Sequence, residues 1–280
     1  MNITCNGTLI DLSTPKIMGI LNVTPNSFYD GGKHNSLEKA LTQTEKMLHE
    51  GATFIDVGGA SSKPGVAEIS ADEEKKRVLP VIEKIASTFP QAFISIDTYR
   101  SDVAAKAIAA GANMVNDISA GNLDKKMLQT VGSMGVPYVA MHMQGNPQSM
   151  QKNPTYNDIL ISIREFFSKK IIEAYNAGIN DIILDPGFGF GKTLRQNFML
   201  LRHLHTLHID EIPLLVGVSR KSMIHKTLDI EPSAALNGTT VLNTIALDKG
   251  AQIVRVHDVK EAQQAIRLIE ALQASYPINP

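Results

Sequence analysis

The 280-residue chain predicts a single domain, residues 1–280, folded as a TIM (β/α)8 barrel with its site at the C-terminal ends of the strands, and three observations predict it. Eight short, mostly apolar runs recur, at 16–22, 52–58, 92–97, 113–117, 137–142, 181–185, 213–218 and 252–257. Stretches of helical periodicity, such as 37–50 and 102–110, lie between them. Nearly every run ends in a polar residue, which favours a closed barrel over a doubly wound open sheet.

Each element follows from local chemistry. The runs are near-continuously apolar, as expected of parallel strands covered by helices outside and side chains inside. Helices are expected to stop at the glycines of "HEGATF", "AAGANM", "NAGIND" and "DKGAQI", where a left-handed cap precedes the next strand. The polar segment "QGNPQSMQKNPTYND" reads as an elaborated βα loop. Residues 1–13 have neither the basic-then-apolar order of a leader nor an Arg-rich transit pattern, and none of the eight runs falls there.

Composition narrows the function. Apolar residues make up 43% and charged residues 20%, the balance of an ordinary globular core. The net charge of −1, with no basic block, argues against nucleic-acid binding and for a small-molecule substrate. Cys5 is the sole cysteine, so no internal disulfide forms and a cytoplasmic location fits. No apolar run approaches the ~18 residues that span a membrane.

The strand-end residues are Asn22, Asp56, Asp97, Asn116, His142, Asp185, Ser219 and His257, and a barrel gathers such positions at one mouth. A single Asp after a strand is commonly a helix N-cap. So many carboxylates and amides around one opening are poorly satisfied without a ligand or cation.

In "IVRVHDV", Arg255 and His257 stand two apart and share a side of the strand, where together they could grip an anion. The plainer account pairs Arg255 with Asp258 or a neighbouring carboxylate. In "GVSRKSM", Lys221 extends into the mouth and Arg220 faces outward. "DPGFGFGKT" is no phosphate-binding P-loop, because Gly187 and Gly191 enclose only three residues and Pro186 holds the required glycine position. Its glycines let the backbone turn beside Asp185, while Phe188 or Phe190 offers a flat face to an aromatic ligand or fills the core.

"NVTPNSFYDGGKHNS" and "GGASSKPG" have the composition of active-site lids and equally of surface loops. In the second, Ser61, Ser62 and Lys63 supply hydroxyls and a cation. No HExxH motif occurs, and the available oxygen donors suit Mg2+, with Asn22 as ligand and phosphate oxygens and waters completing the shell.

Taken together, "GILNVTPNSFYDGG", "DVGGASSKPG", "SIDT", "NDI", "MHMQGNP", "LDPGFGFGK", "GVSRKSM" and "RVHDV" resemble the dihydropteroate synthases over nearly the whole chain. The resemblance implies a β/α barrel, a homodimer, and condensation of hydroxymethyl-dihydropterin pyrophosphate with para-aminobenzoate. It implies that Asp97, Asn116, Asp185 and Lys221 hold the pterin, and that Asn22 ligates magnesium. It sets the pyrophosphate against Asn22, Ser62, Lys63, Arg255 and His257, and the aminobenzoate against Pro64, Phe190, Lys221 and Ser222. Asp97, Lys221, Arg255 and His257 are the implied catalytic set.

Three residues of the second loop depart from that pattern: Ala60, Ser62 and Lys63 replace the family's Glu, Thr and Arg, and lysine lacks the bidentate fork. Asn26 stands where the family usually has Asp. A pterin-dependent methyltransferase needs no pyrophosphate clamp, so "SSKPG" and "RVHDV" argue against it; a non-catalytic pterin-binding protein is the alternative from another class.

Overall fold

The structure, a computed structural model, describes residues 1–23, 32–60 and 67–275, of which 32–36 are described as backbone alone. Eight parallel strands hold the barrel: β3 (Lys16–Asn22), β4 (Phe54–Gly58), β5 (Phe93–Asp97), β6 (Met114–Asp117), β7 (Tyr138–Met141), β8 (Ile182–Asp185), β9 (Leu215–Val216) and β10 (Ile253–Val256). Their order is β8-β7-β6-β5-β4-β3-β10-β9. A single parallel bridge, Leu184 to Leu214, joins the two ends, and the Leu184 N–H donates to the Pro213 carbonyl at 2.9 Å. Each predicted run contains one of these strands. The run at 213–218 yields only two ladder residues, since Pro213 has no N–H to give.

Two strands precede the barrel, outside the eight runs. β1 (Asn2–Cys5) and β2 (Thr8–Asp11) form an antiparallel hairpin, and Asn6 and Gly7 turn it with φ of 50° and 70°. Asn-Gly is the preferred pair for such a turn, so a legible signal was present in "TCNGTLI". Ile3, Cys5, Ile10 and Leu12 pack against Met18, Phe54, Met114, Val139, Ile183, Leu215 and Ile253. Those seven are inward-facing residues from seven strands near their N-terminal ends, so the hairpin closes the floor of the barrel. Burial pushes the Cys5 thiol up to about 12, keeping it protonated.

Nine helices occur among the described residues: α1 (Gly32–His49), α2 (Ala71–Thr88), α3 (Ser101–Ala109), α4 (Met127–Met134), α5 (Ile159–Asn176), α6 (Leu194–Arg202), α7 (Ser222–Leu228), α8 (Leu236–Asp248) and α9 (Val259–Ala274). All four anticipated cap glycines, Gly51, Gly111, Gly178 and Gly250, have positive φ. After each, the next N–H reaches back over the cap: Ala52 to Met47, Ala112 to Ala107, Ile179 to Ala174 and Ala251 to Ala246, at 2.9 to 3.0 Å. These caps stop the helix and aim the chain into the following strand.

Side-chain alternation sorts the strands into two faces. Ile17, Leu21, Ile55, Val57, Ile94, Ile96, Val115, Leu184, Val216 and Val254 face outward into the core shared with the helices. The intervening residues face the barrel interior, and the register keeps them level: Asp56 pairs with Ser95, Gly58 with Asp97, and Asp97 with Asn116. The interior is therefore apolar at the hairpin end and polar at the other.

Candidate active site

The polar end is organised around Arg255. Its Nε donates to Asp56 Oδ2 at 2.6 Å and one Nη donates to Asp97 Oδ2 at 2.7 Å. Asn116 Nδ2 donates to the same Asp56 oxygen at 3.0 Å. Three strands and β10 thus meet in one network whose base is Asp56, fully buried, with its other carboxylate oxygen unpartnered. Arg255 is thus paired with neighbouring carboxylates, Asp56 and Asp97, at the polar end of the barrel. Asp258 is bound by Arg220 instead, at 2.5 Å and 3.1 Å.

Two carboxylates share one guanidinium, which leaves an excess negative charge. The more accessible partner, Asp97, carries the consequence: burial pushes its carboxyl up to about 7, against the pull of Arg255 and with the push of Asp56. Arg255 is held firmly in its charged form by both carboxylates in spite of its own burial.

Asp185 ends β8 on the same interior face. Burial raises its carboxyl above the ordinary value, while Lys221, the Gly187 N–H at 2.7 Å and Lys192 favour the carboxylate. Lys221 follows β9 across the seam, and burial lowers its ammonium to about 8, opposed by Asp185. Its Nζ donates to the Phe188 carbonyl at 2.5 Å and lies 4.9 Å from the Phe190 ring centroid. Arg220, immediately before it, sits at φ 55°, and this left-handed residue directs Lys221 inward and Arg220 to Asp258. Gly217, on the interior face, borders both Lys221 and Arg255: a Cβ there would lie 3.7 Å from Lys221 Nζ and from Arg255 Cβ.

Asn22 is exposed at the rim. Its Oδ1 and Asp97 Oδ2 both approach the space that Gly58 leaves, at 3.7 and 3.6 Å from where a Cβ would be. His257 Nδ1 lies 2.9 Å from Ser219 Oγ, which also receives the His257 N–H at 3.2 Å, so strand ends β9 and β10 are tied at the rim. Ser222 is half-buried at the start of α7. Of the two phenylalanines, Phe188 is fully buried core and Phe190 is the half-buried ring at the mouth.

A cavity of about 300 Å³ opens beside Asp97, lined among others by Glu68, Tyr99, Ile118 and Asn146. Arg100 braces its wall, binding Glu74, Glu68 at 2.7 Å and the Ile69 carbonyl at 2.7 Å. Ser62, Lys63 and Pro64, together with Ser61 and Asn26, lie outside the described residues.

His142 is a correction. It was expected at the mouth with the other strand-end residues, but alternation puts Met141 inside and His142 outside. The ring packs edge-on against Phe166 of α5, 4.9 Å between centroids, and burial with the nearby Lys192 depresses it to about 2. Asp117 is outward for the same reason and accepts from Ser119, Gly121 and Tyr138.

Comparison with known proteins agrees with this geometry. The family model described as pterin binding enzyme matches residues 18–257. The dihydropteroate synthase of Escherichia coli K12 is 46% identical over 273 residues, covering 97% of this chain and 96% of that one. The chain belongs to the dihydropteroate synthase family. The Yersinia pestis dihydropteroate synthase, solved with a sulfonamide drug complex, superposes with a TM-score of 0.92 at 46% identity, over 98% of this chain and 100% of that one. The Xanthomonas albilineans dihydropteroate synthase, solved with 7,8-dihydropteroate, gives 0.89 at 35% identity, over 99% and 100%.

The family's barrel accounts for five of the predicted residues coming together: Asp97, Asn116, Asp185, Lys221 and Arg255 share one interior face. The sequence places Asp56 among the mouth residues but assigns it no role, whereas the structure makes it the network's base. Its signal was its parity, two residues before Gly58 on the same face.

Proposed function

We propose that the chain condenses hydroxymethyl-dihydropterin pyrophosphate with para-aminobenzoate, giving dihydropteroate and pyrophosphate on the route to folate. The single observation that carries this reading is the meeting of a ring-recognising set, Asp97, Asn116, Asp185 and Lys221, with Arg255 at one end of the barrel. Carboxylates, an amide and an ammonium complement the donor and acceptor edge of a pterin. Relatives of this chain at 46% identity over nearly their whole length bear the name of that activity.

The reaction is a dissociative substitution. The bond between the pterin methylene carbon and the pyrophosphate oxygen breaks, and its electron pair leaves with pyrophosphate. The ring delocalises the positive charge left on the methylene, and the uncharged aniline nitrogen attacks it, losing a proton. Arg255 and His257 face the departing anion, while the Asp97 carboxylate stands near the developing cation. Asn116 and Asp185 orient the ring, and Lys221 with Phe190 and Ser222 receives the aminobenzoate. The family resemblance adds Ser62 and Lys63 to the pyrophosphate residues and Pro64 to the aminobenzoate residues; all three lie outside the described residues.

Magnesium fits the donor set. Asn22 is exposed at the rim, and its Oδ1 is a carbonyl oxygen that borders the space beside Gly58, as the Asp97 carboxylate does. A hard cation there would be held by Asn22, with substrate oxygens and waters completing the shell, and it would neutralise charge on the leaving pyrophosphate.

The enzyme works in the cytoplasm as a homodimer. Leu228, Leu236, Val241 and Ile245, exposed on α7 and α8, support a second copy covering that side. No helix of the described residues is long and apolar enough to cross a membrane.

The deciding experiment incubates the purified protein with both substrates, with and without magnesium, and assays pyrophosphate and dihydropteroate. Both products should accumulate with magnesium and fall sharply on chelation. Pterin binding with neither product would replace the enzyme by a binding protein.

A further inference from the structure

One charged group built into the wall of the site has no role in the reaction above. Lys192, the lysine of "DPGFGFGKT", is only 3% exposed. Its Nζ lies 2.9 Å from the Gly187 carbonyl oxygen, 2.9 Å from that of Phe190 and 3.2 Å from that of His142. A fourth neighbour, His142 Nδ1, is 3.0 Å away. Carbonyl oxygens carry lone pairs and no proton, so the group that suits three of them is an ammonium with three N–H bonds. His142 Nδ1 then accepts from a shared N–H, which puts the ring proton on Nε2. Burial depresses the lysine, and Asp185 opposes that.

The backbone closes tightly around this nitrogen. A Cβ at Gly187 would come within 1.9 Å of the His142 carbonyl oxygen, so the segment after β8 and the end of β7 approach as only glycine permits. Residues 187–190 form a turn, with the Phe190 N–H donating to the Gly187 carbonyl at 3.1 Å. Lys192 binds the carbonyls at both ends of it. The turn presents two groups to the mouth: the Phe190 ring and the Phe188 carbonyl, both of which contact Lys221 Nζ.

We propose that Lys192 is a positioning residue for the second substrate: it fixes the 187–190 turn, and the turn sets Phe190 and Lys221 against the aminobenzoate. This rests on the dihydropteroate synthase reading and deepens it. Of the groups that meet the first substrate, Asp97, Asn116 and Arg255 stand on barrel strands of their own, while Asp185, which accepts from the Gly187 N–H at 2.7 Å, and Lys221 touch the turn. The second substrate rests on Lys221 and on the Phe190 ring of the turn itself, so it depends on the turn more.

The test measures steady-state kinetics of the full-length protein, varying each substrate in turn, for wild type, Lys192→Met and Lys192→Arg, with thermal unfolding in parallel. Methionine has similar length and no donor. Its KM for aminobenzoate should rise about tenfold, while KM for the pterin pyrophosphate stays within about threefold. A loss confined to kcat is what a smaller folded fraction produces, and that result, or equal changes in both KM values, overturns the proposal. Should Lys192→Met not fold, Lys192→Arg decides. A guanidinium cannot bring three oxygens around one nitrogen, so the same split is expected, and unchanged KM values overturn the proposal. Failure of both variants to fold makes Lys192 a core residue and removes the positioning role. A wild-type protein that makes no dihydropteroate sinks the parent reading first, before any variant is compared.

Discussion

At the scale of single residues the site is a problem of charge. Arg255 lies between Asp56 and Asp97, and burial, with the nearby Asp56 charge adding to it, raises Asp97 to about 7 against the pull of Arg255. The unfolded value is about 3.9, so between roughly pH 4 and 7 the folded state binds the extra proton. The stability that Asp97 contributes is therefore present at low pH and declines as pH rises through that window. Catalysis runs the other way in the proposed reaction, where the carboxylate is the form that faces the pterin cation. We expect kcat/KM for the pterin substrate to climb with pH and level off above about 7. Asp97→Asn should lower turnover by about 100-fold and abolish that limb; unchanged turnover would remove the carboxylate from the mechanism. How much of this was legible depended on parity. Asp97, Asn116, Asp185 and Arg255 could be read because strand ends converge in a barrel, whereas His142 was misassigned because one residue's shift along a strand reverses its face.

Among the elements, the barrel strands and their glycine-capped helices were legible because both signals are local. The hairpin β1–β2 was not read, although Asn6-Gly7 marks its turn. Its importance is tertiary: Ile3, 1% exposed, covers the barrel floor at the end opposite the site. Ile3→Ala should cost about 2–4 kcal/mol of unfolding free energy, the usual range for emptying a buried isoleucine site. Urea denaturation measures that, and kinetics should show both KM values unaltered. A shift in KM would mean that the floor and the mouth are coupled.

Across the whole molecule the weakest join of the barrel lies between β8 and β9. β3 to β4 and β4 to β5 each share five paired positions, whereas β8 and β9 meet at the one bridge from Leu184 to Leu214. Asp185 is on one side of this seam, and Lys221 and Arg255 are on the other. A pterin held as proposed above would span it. Hydrogen exchange should therefore find amides at 182–185 and 214–216 the least protected among the barrel strands, and a bound pterin should slow them more than those of β4. Uniform protection with and without ligand would contradict this account of the seam.

The sequence by itself determined the eight-fold βα rhythm, the helix stops and the family, because apolar period, glycine conformation and long motifs are properties of contiguous residues. Only the tertiary structure decided that Asp56 anchors Arg255 and Asn116, that Lys192 binds carbonyls on two connections, and that the first residues seal the floor. Those contacts join positions as far apart in the chain as Asp56 and Arg255. Their energies depend on distance and burial, which exist only once the barrel has closed.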